Sequence, residues 1–275
     1  MTKILKADRR LEDFDKEKLI NSLINSGANQ GLAVEIAEHI QRELKDGMSS
    51  DQISKHSAFL LEKHSKKVAV SYSLKNAVLA LGPSGFPFEK FIAEILKEKG
   101  YQTLVGEIVT GQCAEHELDV LAFNENKLIA IEAKFHNEHG IRSDLKVALY
   151  VQARFEDLLQ KEYDYGGKRK FNENWLITNT KFTSSAFKYG KCKGMTMIGW
   201  NYPKEGNLQD MIEDSGLHPL TCLTTLSQKQ KIEALKSGEV LCKKLHNNEG
   251  LLKSIGISGE KMDEVKREIN LVCEI

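Results

Sequence analysis

Several features of specialised proteins are scarce in this chain of 275 residues. Prolines and glycines number only 4 and 20, which argues against collagen-like and low-complexity architectures. The apolar stretches are short and interrupted by charge, so none reaches the ~20 apolar residues that cross a bilayer. The opening residues MTKILKADRR lack the apolar core of a secretory signal. We therefore expect a cytoplasmic protein without a membrane span.

Paired cysteines and an excess of one charge are also missing. The five cysteines form no CxxC pair, which argues against a disulfide framework or a zinc ribbon. Lysine plus arginine and aspartate plus glutamate both number 39, whereas proteins that bind nucleic acid more often carry a basic excess. Any contact with DNA must therefore be local.

The composition that is present predicts a globular protein with more than one domain. Hydrophobic residues make up 41% and charged residues 28%, and the length favours two or three domains. The strongest boundary signal is the run Gly82-Pro83-Ser84-Gly85, because glycine and proline interrupt regular structure. Before it we expect a short hairpin and four helices, with Asp15 as an N-cap and a capping box at Ser49-x-x-Gln52.

The rest of the chain changes character twice. After an amphipathic helix that carries Phe88 and Ile92, alternating strand and helix patterns predict an α/β unit. From Leu208 onward the pattern is helical. We therefore expect a mostly α domain at residues 1–82, an α/β domain at 86–205 and a small helical domain at 206–275.

The candidate catalytic residues lie on a predicted hairpin in the α/β unit, ELDVLAF followed by LIAIEAKF. If residues 124–127 form the turn, Phe123 faces Leu128 and Asp119 faces Glu132. Directly opposed side chains lie roughly 4.5 to 5.5 Å apart, where like charges repel. Two carboxylates so placed favour a cation between them, and Lys134 lies on the same strand face.

Such a carboxylate pair suits Mg²⁺, which takes oxygen ligands and keeps waters for a phosphate substrate. A solvated hairpin face would carry similar residues, but Glu132 interrupts an apolar strand, where an unpaired carboxylate is costly. This context favours phosphodiester hydrolysis, with Lys134 orienting the attacking water or holding charge.

The order of these residues resembles the PD-(D/E)xK nuclease superfamily, in particular the Mrr-like restriction endonucleases and the archaeal Holliday-junction resolvases. The matching positions run over about residues 86–203 and are Glu89, Asp119, Glu132-Ala133-Lys134 and Gln152. The resemblance implies a restriction-endonuclease-like α/β/α core, a Mg²⁺ or Mn²⁺ cofactor and DNA as substrate. A homodimer is also implied, because cutting two strands with one site per chain favours a second copy.

The resemblance also assigns roles to these positions. Asp119 and Glu132 would be metal ligands, Ala133 would offer its backbone carbonyl and Lys134 would be the catalytic lysine. Glu89 would assist the metal or water, although a surface carboxylate fits the sequence equally well. Gln152 would lie beside the site, although helix packing is an equal alternative. In the same hairpin register Glu117 would stand opposite Lys134.

The first residues resemble the ATP-cone, a regulatory domain that binds ATP or dATP. The positions that match are Lys6, Asp8, Glu12, Phe14, Asp15 and Lys18. The resemblance implies that ATP or dATP acts as an effector, because the sequence has no Walker-type loop. Lys6 and Lys18 could converge on the triphosphate and Glu12 could contact the ribose or base; the charge spacing alone also fits an ordinary salt-bridged hairpin.

The C-terminal segment LLKSIGISGEKMDEVKREI resembles a helix-hairpin-helix element through Gly256 and Ile257. Plain helical packing is the alternative. Together these features predict a Mg²⁺-dependent DNA endonuclease of restriction or repair, regulated by ATP or dATP. The competing hypothesis is a catalytically inactive, ATP-sensing DNA-binding regulator, and RNA or an RNA–DNA hybrid is a further possible substrate.

Overall fold

The computed structural model describes residues 2–6, 9–138 and 140–273. Its N-terminal part is a hairpin followed by four helices, as the sequence predicts: β1 (Lys3–Leu5), β2 (Leu11–Asp13), α1 (Lys16–Asn25), α2 (Gln30–Glu43), α3 (Ser50–Glu62) and α4 (Lys66–Leu79). The side chain of Asp15 accepts a hydrogen bond from the Lys18 amide and so caps α1. Ser49 and Gln52 form the reciprocal capping box of α3. Asp8, which contributes to the ATP-cone resemblance, lies outside the described residues.

The middle part alternates helices and strands: α5 (Phe86–Glu98), β3 (Gln102–Thr110), β4 (Glu115–Phe123), β5 (Leu128–Lys134), β6 (Arg142–Ser143), α6 (Leu145–Leu158), β7 (Tyr163–Asp164), β8 (Lys168–Arg169), β9 (Glu173–Thr178), β10 (Lys181–Phe182), α7 (Ser184–Cys192) and β11 (Thr196–Ile198). Five of these strands form a mixed sheet in the order β11-β9-β5-β4-β3. The strands β3, β4 and β5 are antiparallel, whereas β5, β9 and β11 are parallel.

The sheet lies between helices on both faces. On one face, α5 packs through Phe88 and Ile92 against side chains such as Val120 and Ile131. On the other face, α6 and α7 cover Leu176 and its neighbours. This α/β/α layering is consistent with the restriction-endonuclease-like fold.

The predicted hairpin register is confirmed. Phe123 pairs with Leu128, and Val120 pairs with Ile131. The turn is held by Asn124, whose side chain accepts hydrogen bonds from the amides of Asn126 and Lys127. The pairing ends at Val120 and Ile131, so the expected Asp119–Glu132 pair is not formed. Because side chains alternate between strand faces, Glu132 and Lys134 share one face of β5.

The C-terminal part is helical, with α8 (Leu208–Ser215), a short 3-10 helix (Leu220–Cys222), α9 (Gln228–Lys236), α10 (Cys242–His246), α11 (Glu249–Ser254) and α12 (Glu260–Cys273). The cysteines scattered along the sequence come closer here, with the Sγ atoms of Cys222 and Cys242 3.3 Å apart. Among the described residues, no helix combines the length and apolar character that a membrane span requires.

Helix α4 contributes to three hydrophobic cores. Ala69 packs with the N-terminal helices, Leu74 packs with the sheet domain and Ala77 packs with the C-terminal helices. The hydroxyl of Thr221 also donates to the Ala77 carbonyl at 2.5 Å. One helix therefore ties the three parts of the chain together.

Glu268 of α12 is a fully enclosed carboxylate, with its side chain 1% exposed. It accepts hydrogen bonds from the amides and hydroxyls of Thr224 and Thr225 and pairs with Lys66 at 3.3 Å. Burial alone would raise its pKa, but the bonds from Thr225 and Thr224 outweigh burial and the pKa is lowered.

Replacing Glu268 with Gln should destabilise the protein by about 2 kcal/mol, because the Lys66 partner is lost and an N–H donor then faces other donors. A lowered carboxyl pKa stabilises the fold above the unfolded-state pKa, and this contribution disappears as the pH falls through the folded-state pKa. Denaturant unfolding at pH 7 and near pH 3 would measure both values. The difference between wild type and E268Q should shrink at the acid end; a constant difference would contradict the ionic role.

Candidate active site

The strands β4 and β5 part just beyond their last paired residues, Val120 and Ile131. Two residues after Ile131, the amide of Ala133 donates to the side-chain Oδ2 of Asp119 at 2.8 Å. Beyond this point β5 continues only beside β9, up to the Lys134–Thr178 pair. We call this separation the fork: Asp119 bonds to the β5 backbone there, the charge of Glu132 acts on Asp119, and Lys134 ends β5 two residues further on.

Helix α6 supplies two partners of Glu132 that the sequence analysis missed. Glu132 is 8% exposed, and its Oε2 accepts from Nη1 of Arg154 at 2.8 Å. Its Oε1 accepts from the hydroxyl of Tyr150. Tyr150 and Arg154 are four residues apart and thus share a helix face. The signal that could have found them is the apolar strand around Glu132, since a buried carboxylate requires a cationic or hydrogen-bonding partner.

The carboxylates near the fork raise the pKa values of Asp119 and Glu89. Burial, then Glu132, and then Glu89 raise the pKa of Asp119 to about 7, against the opposing effects of the Ala133 amide and Arg154. The pKa of Glu89 is raised by burial, by Glu117 and by Glu132. Negative charges that repel across a partly buried site are stabilised by a divalent cation with oxygen ligands. The donor set therefore fits Mg²⁺ or Mn²⁺.

Lys134 is partly buried at the end of β5. Within the described residues no carboxylate lies close enough to form an ion pair with it. The expected partner Glu117 is not opposite Lys134, because the two strands separate after Val120; Glu117 instead pairs with Ile108 on β3. The ammonium group of Lys134 is thus free of ion pairs within the described residues.

Glu89 and Gln152, the two remaining positions of the nuclease resemblance, lie in different surroundings. Glu89 lies in the first turn of α5, where burial and the negative charges of Glu117 and Glu132 raise its pKa. Gln152 is buried, and its amide bonds to Glu156 at 3.0 Å and to Asn174 at 3.3 Å. In the part of the chain that the structure describes, no hydrogen bond joins Gln152 to Asp119, Glu132 or Lys134. Its contacts connect α6 to β9.

The three residues expected at a nucleotide are not gathered around one point. Lys6 lies 4.0 Å from Glu12 and lines the cavity between the N-terminal helices and the sheet domain. Lys18 lies 3.4 Å from Asp15 and its side chain is 76% exposed. Neither Glu12 nor Lys18 is among the described residues that line the cavity. Lys6 and Lys18 do not converge in this structure, because Lys18 pairs with its own N-cap residue, and the role of Lys6, Glu12 and Lys18 at a nucleotide stays a prediction.

Two histidines of the N-terminal helices contact one carboxylate. His39 and Glu43 lie one turn apart on α2, and His56 of α3 meets the same carboxylate. The imidazole nitrogens lie 3.2 and 3.4 Å from Glu43. This cluster joins two N-terminal helices and lies apart from the carboxylate fork.

The chain is similar in sequence to an archaeal protein over about two thirds of its length. An uncharacterized protein of Archaeoglobus fulgidus is 36% identical over 182 residues, which are 66% of this chain and 99% of the relative. The family model described as AF1548-like, C-terminal, matches residues 218–273. The chain belongs to the AF1548-like family.

A second family model, described as restriction endonuclease, matches residues 82–200 of this AF1548-like protein. Among solved structures, the protein of unknown function AF1548 is similar, with 34% sequence identity and a TM-score of 0.56. That comparison covers 70% of this chain and 99% of AF1548. The Mrr-like restriction endonuclease resemblance is thus confirmed, and the middle of the chain is a nuclease domain, which implies DNA as substrate.

The C-terminal interpretation is corrected by the AF1548-like match, whereas the N-terminal interpretation is not tested. The C-terminal helices of the AF1548-like protein match their own family rather than a helix-hairpin-helix element. The segment around Gly256 is the turn between α11 and α12, and Ile257 is buried in the helical core. The matched models begin at residue 82, so the ATP-cone resemblance of residues 1–82 stays a prediction.

Proposed function

We propose that this protein is a metal-dependent DNA endonuclease of restriction or DNA repair whose site is the fork between β4 and β5. The observation that supports the proposal is the pair of carboxylates Asp119 and Glu132, in which burial and the Glu132 charge raise the pKa of Asp119, beside the end of the strand that carries Lys134. Opposed carboxylates suit a hard divalent ion, and a lysine without a partner suits a phosphate substrate.

Each of these residues would have a separate role at the site. Asp119 and Glu132, with the Ala133 carbonyl, would hold Mg²⁺ or Mn²⁺, and Glu89 would add negative charge beside it. When bound, the ion would stabilise negative charge on the phosphate oxygens. Lys134 would hold the attacking water in line or neutralise charge on the scissile phosphate. The Ala133 amide fixes the Asp119 side chain through its 2.8 Å hydrogen bond.

Glu132 would have to exchange a partner to ligate an ion, because its oxygens are held by Arg154 and Tyr150. The bond to Arg154 or to Tyr150 would then break. If Arg154 were released, its guanidinium could contact a DNA phosphate. Arg154 would thus compete with a bound ion as the counter-charge of Glu132.

A plasmid assay tests the proposal. Supercoiled and branched DNA should be nicked in Mg²⁺ or Mn²⁺, and EDTA should stop the reaction. Lys134→Met should lower the cleavage rate about 10²-fold at saturating DNA, since it removes a positioned charged group from the reaction. The matched control is Lys229→Met on α9, an exposed lysine of the C-terminal part, which should keep the wild-type rate.

Equal inertness of wild type and Lys134→Met, with DNA binding retained, would contradict the proposal. That result would favour the alternative of an inactive regulator that binds DNA. Cleavage of RNA or of an RNA–DNA hybrid in place of DNA would change the substrate class but not the site.

Two further parts of the proposal concern assembly and control. A homodimer would bring two forks to the two strands of a duplex. ATP or dATP would act as an effector of the N-terminal part, where Lys6 borders a cavity shared with the nuclease domain. Light scattering with and without DNA would test the assembly.

A further inference from the structure

Three side chains that commonly bind metal ions meet in the N-terminal part, away from the carboxylate fork: His39, Glu43 and His56. Nε2 of His39 lies 3.2 Å from Oε1 of Glu43, and Nδ1 of His56 lies 3.4 Å from Oε2 of the same residue. Each of the three side chains offers one ligand atom within 4.8 Å of the other two. One ion could therefore contact all three side chains at once.

The packing of α2 against α3 holds these side chains together. His39 and Glu43 are four residues apart and share one face of α2. Each of the three ligands also follows, by three residues, an isoleucine of the same buried core: Ile36, Ile40 and Ile53. Residues three apart on a helix are neighbours on its surface. The apolar contacts that fix the two helices thus also fix the positions of the ligands beside that core.

The contacts to Glu43 are long for hydrogen bonds between an imidazole and a carboxylate. Such charge-assisted bonds span about 2.7–2.9 Å, and elsewhere in this chain His116 meets Asp157 at 2.7 Å. A tetrahedral zinc ion with ligand bonds of about 2.0–2.2 Å separates its ligand atoms by roughly 3.4 Å. The separations of 3.2 and 3.4 Å at Glu43 therefore match two edges of a zinc tetrahedron.

The surroundings of Glu43 favour a cation that can enter from solvent. Glu43 is the last residue of α2, and the C-terminus of a helix carries partial negative charge. Among the described residues, its ion-pair contacts are with the two histidines and not with lysine or arginine. The side chains of His39, Glu43 and His56 are 38%, 51% and 32% exposed, so water can reach an ion held between them.

We propose that His39, Glu43 and His56 bind Zn²⁺, with water as the fourth ligand. Two imidazoles and one carboxylate form a ligand set that zinc takes in proteins, whereas Mg²⁺ prefers oxygen ligands alone. The site thus differs from the fork both in its position and in the ion that it selects. This inference does not rest on the proposed nuclease function.

A zinc ion at this site fastens the connection between α2 and α3, residues 44–49, because its ligands lie on both sides of that connection. The same connection holds the N-terminal hairpin. The amide of Gly47 donates to the carbonyl of Lys3 at 2.8 Å, and the amide of Leu5 donates to the carbonyl of Met48 at 3.0 Å. Zinc binding therefore stiffens the support of the hairpin.

Calorimetric titration of Zn²⁺ into the metal-free, full-length chain tests the site. Wild type should bind Zn²⁺ with a dissociation constant on the order of 10 µM, and excess Mg²⁺ should not displace it. His39→Gln and His56→Gln should each weaken this binding at least about tenfold, because each removes one of three protein ligands. The control is His64→Gln, which alters an exposed histidine between α3 and α4, outside the cluster, and should leave the affinity unchanged. Circular dichroism would establish that each variant is folded.

Absence of zinc binding by wild type, or unchanged affinity in both cluster variants, would overturn the site. Co²⁺ in place of Zn²⁺ should give the visible absorption of a tetrahedral ion without a thiolate-to-cobalt charge-transfer band. Such a band would place the ion on cysteines instead and would also overturn the site. Asp119→Asn should keep the zinc affinity; its loss in that variant would assign the ion to the fork.

Hydrogen exchange measures the fastening of the connection. Zn²⁺ should slow amide exchange at residues 44–49 in wild type and not in His56→Gln. Zinc binding without this protection would overturn the fastening role and leave the ligand assignment intact. A chain that binds Zn²⁺ at the cluster but cleaves no DNA in Mg²⁺ or Mn²⁺ would overturn the proposed nuclease function alone.

Discussion

Asp119→Asn should abolish cleavage and at the same time stabilise the metal-free protein. The amide oxygen of Asn can still accept the bond from the Ala133 amide, which spans 2.8 Å in the native site, but the negative charge is lost. Without that charge the metal site fails, and the expected rate loss is on the order of 10³-fold, as for other removed electrostatic groups. The stability gain has a separate cause, since Asp119 lies among other carboxylates.

The pH dependence of this gain follows from the raised pKa of Asp119, which is about 7 instead of 3.8. Above its unfolded-state pKa, a carboxyl whose pKa is raised by folding increasingly destabilises the fold as the pH rises, until the folded-state pKa is passed. Asn removes this penalty, so its gain in EDTA should be larger at pH 8 than at pH 5. Each kcal/mol gained corresponds to roughly 2–4 °C in melting temperature.

Thermal unfolding in EDTA and cleavage in Mg²⁺, measured on the same preparations, would check both effects. Glu125→Gln, in the exposed turn of the same hairpin, is the control, because it removes a carboxylate outside the fork. Loss of activity together with a loss of stability would indicate that Asp119 is needed for folding and would contradict the metal-ligand role.

Arg154→Ala should destabilise the metal-free protein by about 3–5 kcal/mol, the cost of leaving one member of a buried ion pair alone. The side chain of Glu132 is only 10% exposed and that of Arg154 is 23% exposed. Without the guanidinium, the Glu132 carboxylate would face Asp119 with only the Tyr150 hydroxyl as a strong donor. The expected result is therefore a large fall in the free energy of unfolding.

Mg²⁺ or Mn²⁺ should restore more stability to Arg154→Ala than to wild type, because the ion would take the place of the lost positive charge. Denaturant unfolding with and without the ion measures this difference. Lys193→Ala, at the C-cap of α7, is the control: it breaks an exposed pair with Glu156, 3.2 Å long, and should cost less than about 1 kcal/mol. A metal response equal in all three proteins would show that Arg154 and the ion do not compete for Glu132.

Features that depend on neighbours in the chain could be predicted from the sequence. The N-cap at Asp15 and the capping box from Ser49 to Gln52 need only three or four consecutive residues. The register of β4 and β5 follows from the short turn between Phe123 and Leu128, which leaves one pairing that keeps apolar side chains together. This register alone predicts that Asp119, Glu132 and Lys134 lie together on one face of the hairpin.

Features that depend on how elements pack were decided only by the tertiary structure. The pairing of Arg154 with Glu132 requires the position of α6 across the sheet, and the absence of a Glu117–Lys134 pair requires the strands to separate after Val120. The cavity between the N-terminal helices and the sheet domain brings together Lys75, Arg142 and Lys181, which are distant in sequence. Local patterns determine which side chains share a strand or helix face, because backbone geometry sets that spacing. Which faces meet depends on burying all the apolar surface at once, and no single segment contains that information.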